Sequence, residues 1–284
     1  MSRENEARVA RMQRLAEEKK QAELQMKLFP EWPDDRRGAP NPVIRSAIFG
    51  VVKRGKRKHV IDMPVAAPEG STVAITGWRL DQHDLDVWLE VMHLARNQKP
   101  GELVRFTLHS MLKKLEKSPE GETNYSRLKR RLKNLSETTI AYQTSDREGV
   151  AGALIASFEI ERSTGDAVVR TNPEIRALFE SITWINVEQR RSLGANQLAK
   201  ALHAALASHV AWVPMRLDTL MKRVGAEYGR IRDFKAALEL VLDDFKSREW
   251  IRGYTIGRGS AGLVEIDRVL TPAQIRAAER IGLV

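Results

Sequence analysis

The sequence predicts an α+β fold in which one order of elements, helix, turn, helix and β-hairpin, occurs twice along the chain. Apolar residues recur at spacings of three and four in several segments, the period of a helix that buries one face. Other segments are rich in β-branched residues and are separated by polar turns such as "DREG" and "STGD", the layout of hairpins. This is the winged-helix order, so we predict two tandem winged-helix (helix-turn-helix plus β-hairpin wing) domains, preceded by a flexible or helical N-terminal arm.

The composition is that of a globular protein whose partner is a polyanion. The 284 residues are 42% hydrophobic and 30% charged, enough for two domains with populated cores. The net charge of +10 favours a polyanion as partner, and composition alone leaves DNA, RNA and a membrane surface open. The absence of cysteine excludes disulfides and cysteine-based zinc sites or nucleophiles. No window approaches the roughly 18 apolar residues of a membrane span, and the N-terminus lacks a signal-peptide run, so we expect a cytoplasmic protein without membrane contact.

The predicted arm comprises residues 1–42. Residues 2–24 alternate acids and bases with few large apolar side chains, which is typical of a solvated helix or a flexible segment. The prolines of "FPEWPDDRRGAPNP" then interrupt any helix, because proline removes a backbone donor and favours extended conformations before it. This stretch is interpreted as a linker into the first folded domain.

The first winged-helix domain is predicted to span residues 43–180. Short strands at "IRSAIF" and "STVAITGWRL" flank a basic loop, and a helix follows that either Asp81 or Asp84 can cap. After the extended segment "LVRFTL" come the helices "HSMLKKLEK" and "NYSRLKRRLKNLSE". The strands "TTIAYQTS", "GALIASFEIE" and "AVVRTN" complete the domain, and "PEIRALFES" closes it.

The second winged-helix domain, residues 181–284 with a C-terminal tail, repeats this plan in shorter form. "SITWINVEQRRSLG" leads into the alanine-rich helix "NQLAKALHAALASHV", and "WVPM" is a short extended piece. The helices "RLDTLMKRVG" and "RIRDFKAALELVLDDFKSR" follow it. "EWIRGYTIGR" and "AGLVEIDRV" form the final hairpin around glycines.

The segment 124–135 has the most informative charge pattern. Its apolar residues fall at helical spacing and bury one face, and no acid occurs until Glu137. A helix of this kind fits the DNA major groove, where arginine reaches guanine edges and lysine neutralises phosphate. An ordinary solvated face is the alternative. The candidate DNA-binding residues of this helix are Arg127, Lys129, Arg130, Arg131 and Lys133.

Further basic residues extend the predicted DNA-binding set. Recognition helices contact bases mainly with their N-terminal residues, so Arg230, Arg232 and Lys235 are candidates in the second domain, with scattered surface charge as the alternative. Arg258 lies in the predicted wing turn "GRGSAG". The loop "KRGKRK" is suited to following a phosphate backbone and contributes Lys53, Arg54, Lys56, Arg57 and Lys58.

No pattern in the sequence predicts catalysis. The six histidines show no metal-binding spacing beside carboxylates, and Asp84 with Asp86 is interpreted as an exposed helix start. There is no Walker-type phosphate loop. We therefore expect no enzymatic activity, no catalytic residue, no metal and no cofactor.

Three stretches resemble the TrfA-type plasmid replication initiators, over roughly residues 25–180 with a looser match beyond. They are "LFPEWPDDRRGAPNPVIRSAIF", "ITGWRLDQHDLDVWLEVMHLAR" and "SRLKRRLKNLSETTIAYQTSDR". The resemblance implies tandem winged-helix domains that bind repeated sites in a plasmid origin. It further implies recruitment of the host initiator, replicative helicase and sliding clamp, and dimers that are inactive or repressive in equilibrium with active monomers.

In that family a clamp-binding peptide, Gln-Leu-Ser/Asp-Leu-Phe, stands directly before the first domain. Gln25, Met26, Leu28 and Phe29 are similar to it, although methionine replaces leucine and a lysine occupies the third position. The glutamine amide would give direction, and Leu28 and Phe29 would fill an apolar pocket of the clamp. The alternative is that Phe29 and Trp32 pack against the first domain.

These observations predict a replication initiator that binds repeated sites (iterons) in the double-stranded DNA of a plasmid origin. Several bound copies would open an adjacent A·T-rich segment, where pyrimidine–purine steps deform easily, and single-stranded origin DNA is a further candidate ligand. The alternative is a winged-helix transcriptional regulator or autorepressor without a replisome-recruiting role. Aromatic residues, 6% of the chain, offer little stacking surface for single-stranded RNA.

Overall fold

The structure is a computed structural model that describes residues 33–53, 55, 57–68, 70–98, 101–143, 148–210, 212–271, 274–276 and 279. Two hydrophobic clusters organise these residues. The first is built from residues between Ala39 and Ile185, with Ala204 added, and the second from residues between Leu193 and Ile266. No helix in the described part of the chain is long and apolar enough to cross a membrane.

The first half of the chain alternates short helices and strands. Its elements are β1 (Arg36–Pro40), α1 (Asn41–Ile44), β2 (Phe49–Gly50), β3 (His59–Val65), β4 (Thr72–Trp78), β5 (Leu80–Asp81), α2 (Gln82–Ala95), β6 (Leu103–Thr107), α3 (Leu108–Lys114), α4 (Glu122–Glu137), β7 (Thr139–Gln143), β8 (Glu148–Ala153), β9 (Ile155–Ile160), β10 (Asp166–Thr171) and a 3₁₀ helix (Pro173–Glu180). The second half contains β11 (Ile182–Asn186), α5 (Val187–Ser192), α6 (Gln197–Ala207), β12 (Met215–Arg216), α7 (Leu217–Arg223), α8 (Ile231–Ser247), β13 (Ile251–Ile256) and β14 (Leu263–Arg268). The prediction of a mixed α and β protein is confirmed.

The same order of elements occurs in both halves, except that β7 and β8 stand between α4 and the hairpin in the first half. In the first, α2, β6, α3 and α4 precede the hairpin of β9 and β10, and the strands pair in the order β6-β10-β9. In the second, α6, β12, α7 and α8 precede the hairpin of β13 and β14, and the strands pair in the order β12-β14-β13. In each sheet the first strand therefore lies beside the last, and α4 and α8 hold equivalent positions.

The first half also contains a four-stranded antiparallel sheet in the order β3-β4-β7-β8. The sequence predicts "GALIASFEIE" as one strand, but the chain leaves this sheet at Leu154 and enters the three-stranded sheet with β9. Leu154 is fully buried, and its carbonyl accepts a hydrogen bond of 3.2 Å from the indole of Trp88. The change of sheet at this residue thus divides the predicted strand in two.

The segment "IRSAIF" also differs from its predicted strand. The chain forms α1 just before it, with Pro42 in the first turn, where the fixed φ of proline suits a helix and its missing N–H is not needed. Only Phe49 and Gly50 are extended, and they pair with β5. Of the predicted strand, only its last residue, Phe49, is therefore extended.

Part of the predicted arm belongs to the folded structure. β1 pairs antiparallel with β11, so that Gly38 lies opposite Trp184, and Ala39 is fully buried. The predicted arm of residues 1–42 thus includes a core strand. β11 lies within the predicted second domain, yet its Ile185 belongs to the first hydrophobic cluster, as does Ala204 of α6.

Candidate nucleic-acid interface

α4 is anchored by its apolar face. Leu128, Leu132 and Leu135 are almost completely buried and pack the helix against α2, α3 and β9. Their spacing of four and three is the period that the sequence analysis used to predict this helix. The opposite face of the helix is consequently held toward solvent.

That solvent face is basic. Nζ of Lys129 lies 3.9 Å from Glu122 and Nζ of Lys133 lies 3.7 Å from Glu137, exposed pairs of the kind that contribute little energy. No carboxylate of a described residue lies within 4 Å of Arg127 or Arg130, which leaves their guanidinium groups available to an external anion. The exposed cations of this face are Arg127, Lys129, Arg130 and Lys133.

Arg131, the fifth predicted cation of α4, turns toward the interior. Its Nη1 donates to Oδ1 of Asp81 and to Oδ1 of Asp84, both at 3.0 Å. Arg57, from the predicted phosphate-binding loop, donates to the second oxygens of the same two carboxylates. Contrary to the prediction, Arg57 and Arg131 therefore bind the two acids at the start of α2 and do not present free charge at the surface.

The two acids of this cluster also fix the start of α2. Asp81 is the N-cap and accepts 2.9 Å hydrogen bonds from the amides of His83 and Asp84, while Asp84 accepts from the amide of Asp81. The prediction that Asp81 or Asp84 caps this helix is confirmed, because both do so in a capping box. Burial alone would raise the pKa of Asp81, but the charges of Arg131 and Arg57 outweigh it and lower that pKa.

The loop that connects β2 to β3 contributes further cations. Lys53 and Lys58 are exposed, and Arg54 and Lys56 lie outside the described residues. The amide of Lys53 donates to Oε2 of Glu227 at 3.3 Å, which ties the start of the loop to the second half of the chain.

Each predicted cation at the start of α8 has a carboxylate within 4 Å. Nε of Arg230 lies 2.8 Å from Asp233, and Nε of Arg232 lies 3.7 Å from the same carboxylate. Lys235 lies 3.7 Å from Glu239. The predicted basic start of this helix is thus partly neutralised in the free protein. Arg258 is exposed in the turn between β13 and β14.

Asp86 joins the two halves through a second buried ion-pair cluster. Its carboxylate accepts from Nε of Arg190 on α5 and from Nζ of Lys200 on α6, both at 2.6 Å. Although burial opposes ionisation, Arg190, His83 and Lys200 hold the pKa of Asp86 well below its usual range. The interpretation of Asp84 and Asp86 as an exposed helix start is therefore wrong. A sequence shows the charge of such a residue but not the distant cations that bury it.

Backbone contacts close the same junction. The amide of Val51 donates to Gly225 O at 3.0 Å, and Val51 O accepts from the amide of Glu227 at 3.1 Å. The side-chain amide of Gln197 bonds both the N–H and the C=O of Val52, each at 3.2 Å. These contacts and the Asp86 cluster fix the placement of α4 relative to α8.

A comparison with known protein families decides the identity of the chain. The family described as TrfA protein matches residues 2–252. The chain belongs to the TrfA family. A curated member of it, the plasmid replication initiator protein TrfA of Escherichia coli, is 26% identical over 224 residues, which cover 75% of this chain and 58% of that protein. The chain thus spans somewhat more than half the length of this TrfA relative.

Two solved structures share the fold of this chain. The Pi initiator protein in complex with iteron DNA superposes with a TM-score of 0.51 at 14% identity, covering 67% of this chain and 94% of that chain. Domains 2 and 3 of RctB superpose with a TM-score of 0.53 at 12% identity, covering 80% and 97%. At identities this low, the two superpositions show that this TrfA-family chain shares a fold with these proteins.

The clamp-binding peptide that the TrfA resemblance implies remains a prediction. The clamp-like peptide of Gln25, Met26, Leu28 and Phe29 lies outside the described residues, as does Trp32, so neither clamp binding nor packing against the first domain is tested.

Within the described residues no group of three or more histidines and acids could hold a metal ion.

Proposed function

We propose that this TrfA-family chain is a plasmid replication initiator that binds repeated sites in double-stranded origin DNA through two winged-helix domains. The observation that carries the proposal is the exposed basic face of α4, on which Arg127 and Arg130 have no neighbouring carboxylate among the described residues. The equivalent positions of α4 and α8 in two similarly ordered halves support the tandem arrangement. The fold similarity to the Pi initiator, a protein solved with iteron DNA, supports the kind of partner.

In this proposal α4 and α8 are the recognition helices. Exposed arginine on α4 would reach guanine edges in one major groove, and Arg230 and Arg232 would contact the next. Because the junction fixes the two helices relative to each other, one monomer would read an asymmetric site that extends over two grooves, about 10 base pairs apart. Lys53, Lys58 and Arg258 would contact phosphates and add affinity without sequence preference.

Later steps follow from the same assignment. Several copies bound to adjacent repeats would bend and strain a neighbouring A·T-rich segment, which opens at low cost. The Gln25–Phe29 peptide would bind the host sliding clamp, and other surfaces would recruit the host initiator and helicase. The protein would act in the cytoplasm, where the plasmid is, would equilibrate between monomer and dimer, and would catalyse no reaction itself.

Selection of binding sites from random duplex DNA tests this function. Full-length protein is used at about 150 mM salt, at which nonspecific phosphate contacts are weakened. The expected result is one asymmetric motif long enough for two major-groove contacts. Enrichment of a palindrome would instead support a dimeric regulator, and the absence of enrichment would overturn the proposal.

A further inference from the structure

The junction between the two halves contains a cavity lined mainly by cations. It has a volume of about 140 Å³ and lies between α2, the end of α3, β11, α5 and the start of α6. The acids that line it are Asp86, Glu90 and Glu116. The basic side chains that line it are twice as many: Arg37, Lys114, Lys117, Arg190, Arg191 and Lys200.

Each buried carboxylate of the cavity is shared by two cations. As described above, Asp86 binds both Arg190 and Lys200, whose side chains are each only 5% exposed. Positive charge therefore exceeds negative charge in a region that is largely withdrawn from water. Excess buried charge is unfavourable unless an ion of opposite sign compensates it.

Glu90 repeats this arrangement on the other side of the cavity. Its carboxylate lies 2.9 Å from Nη2 of Arg37 and 3.5 Å from Nη2 of Arg191. The Arg191 side chain is 30% exposed, so a further partner can reach it from solvent. Glu90, like Asp86, therefore neutralises the charge of only one of the two cations that it binds.

The end of α3 brings two more lysines to the opening. Glu116 adopts a left-handed backbone conformation (φ 52°), and the amide of Lys117 donates to Leu112 O at 2.9 Å, which is a Schellman termination. This turn reverses the chain and places Lys117 beside Lys114 at the cavity. No carboxylate of a described residue lies within 4 Å of either ammonium group, so their donors are available.

We propose that the junction cavity binds a phosphoryl group. Such a group carries a charge of about −1.5 to −2 and three strong acceptor oxygens, which match the excess cations and the free lysine donors. The volume exceeds many-fold the roughly 10–15 Å³ that admits one water, so a group of this size fits. Because the lining residues come from both halves, occupancy would stiffen the junction. The phosphoryl group could belong to a free phosphorylated molecule or to the backbone of bound DNA.

Titration of the full-length protein with inorganic phosphate at constant ionic strength tests the site. Saturable binding is expected by calorimetry, and Lys114→Gln and Lys117→Gln should each weaken it about tenfold, as the loss of a charge-assisted hydrogen bond does. Lys113→Gln is the matched control, since Lys113 is exposed on the same helix and does not line the cavity. Absence of saturable binding, or equal weakening in all three variants, would overturn the proposal.

A second arm, with duplex DNA bound at the selected site, distinguishes the two sources of the phosphoryl group. If DNA displaces inorganic phosphate and Lys117→Gln lowers the salt slope of duplex binding by about one, the group is a backbone phosphate. If phosphate and DNA bind together and the variant leaves duplex affinity unchanged, the group belongs to a free molecule. Phosphate binding is measured without DNA in the first arm, so its result does not depend on the proposed initiator function.

Discussion

Nη1 of Arg131 lies 3.0 Å from Oδ1 of Asp84, whereas the neighbouring Arg130 is exposed. The two arginines are adjacent on α4 and indistinguishable by residue type. One holds a fully buried carboxylate of α2, whereas the other faces solvent. Neutralising Arg131 should therefore lower the stability of the protein, whereas neutralising Arg130 should weaken DNA binding.

Arg131→Gln is expected to lower the free energy of unfolding by about 3 kcal/mol, because removal of one partner leaves a buried carboxylate pair with Arg57 as its remaining cation. Arg130→Gln should change stability by less than about 0.5 kcal/mol and weaken specific DNA binding by about 1 to 3 kcal/mol. Urea unfolding and duplex titration measure the two effects. Equal loss by Arg130→Gln on specific and random DNA would contradict base reading by Arg130.

The same pair shows what could be predicted from the sequence. The burial of Leu128, Leu132 and Leu135 follows from spacing within one helix, so α4 and its basic character were predictable. The inward turn of Arg131 was not, since its partner Asp81 lies 50 residues earlier in the chain. Local signals give the element, and long-range pairing decides the role of a side chain on it.

Other differences have the same origin. β1 was taken as a linker because prolines surround it, and it becomes a strand only because β11 pairs with it. The break at Leu154 depends on which sheet each part of the strand joins. Asp86 carries a typical surface charge in the sequence, and only the arrival of Arg190 and Lys200 buries it. Capping of α2 was predictable, because Asp81 and Asp84 act within one turn.

The contact of Gly50 with Gly225 is expected to be sensitive to a single methyl group. A Cβ on Gly50 would lie 2.7 Å from Gly225 O and would also meet the guanidinium of Arg79. Gly50→Ala should therefore destabilise the protein by about 2 kcal/mol through overpacking at the junction. At Gly229, where an added Cβ meets nothing within 4 Å, the same change is the control and should alter stability by less than about 0.5 kcal/mol. Equal urea midpoints for the two variants would refute the close packing.

Buried His203 should make stability fall in mild acid. Burial, with the charges of Arg190 and Lys200, lowers the pKa of His203 to about 3. Between about pH 6.5 and pH 3, His203 therefore binds a proton in the unfolded chain but not in the folded protein. The free energy of unfolding decreases as the pH falls through this range. The contribution of this one group is about 2 kcal/mol at pH 5 relative to neutral pH.

His203→Gln keeps an amide donor near Gln189, the present partner of Nε2 at 3.1 Å, and removes the titration. Its free energy of unfolding should thus vary less between pH 7 and pH 5 than that of the parent protein, by about 2 kcal/mol. The same substitution at exposed His59 is the matched control. An unchanged pH profile for His203→Gln would show that this histidine does not resist protonation.

Asp233 is expected to restrain DNA binding by α8. It lies close to both Arg230 and Arg232, so these cations must leave a carboxylate before they contact phosphate. Asp233→Asn should strengthen duplex binding by about 1 kcal/mol, because an acid is removed from the proposed interface. It should also destabilise the protein by about 0.5 kcal/mol, since an acid in the first turn favours the helix dipole.

Asp244→Asn supplies the control for this effect. Asp244 lies near the other end of α8, pairs with Arg248 at 2.8 Å and is as exposed as Asp233, at 42% against 41%. Asp244→Asn removes the same charge as Asp233→Asn, so a general electrostatic effect would raise duplex affinity equally in both variants. A gain confined to Asp233→Asn, measured at several salt concentrations, would indicate that the start of α8 faces DNA. Equal gains would mean that α8 contributes only through the net charge of the protein and that α4 alone reads the site.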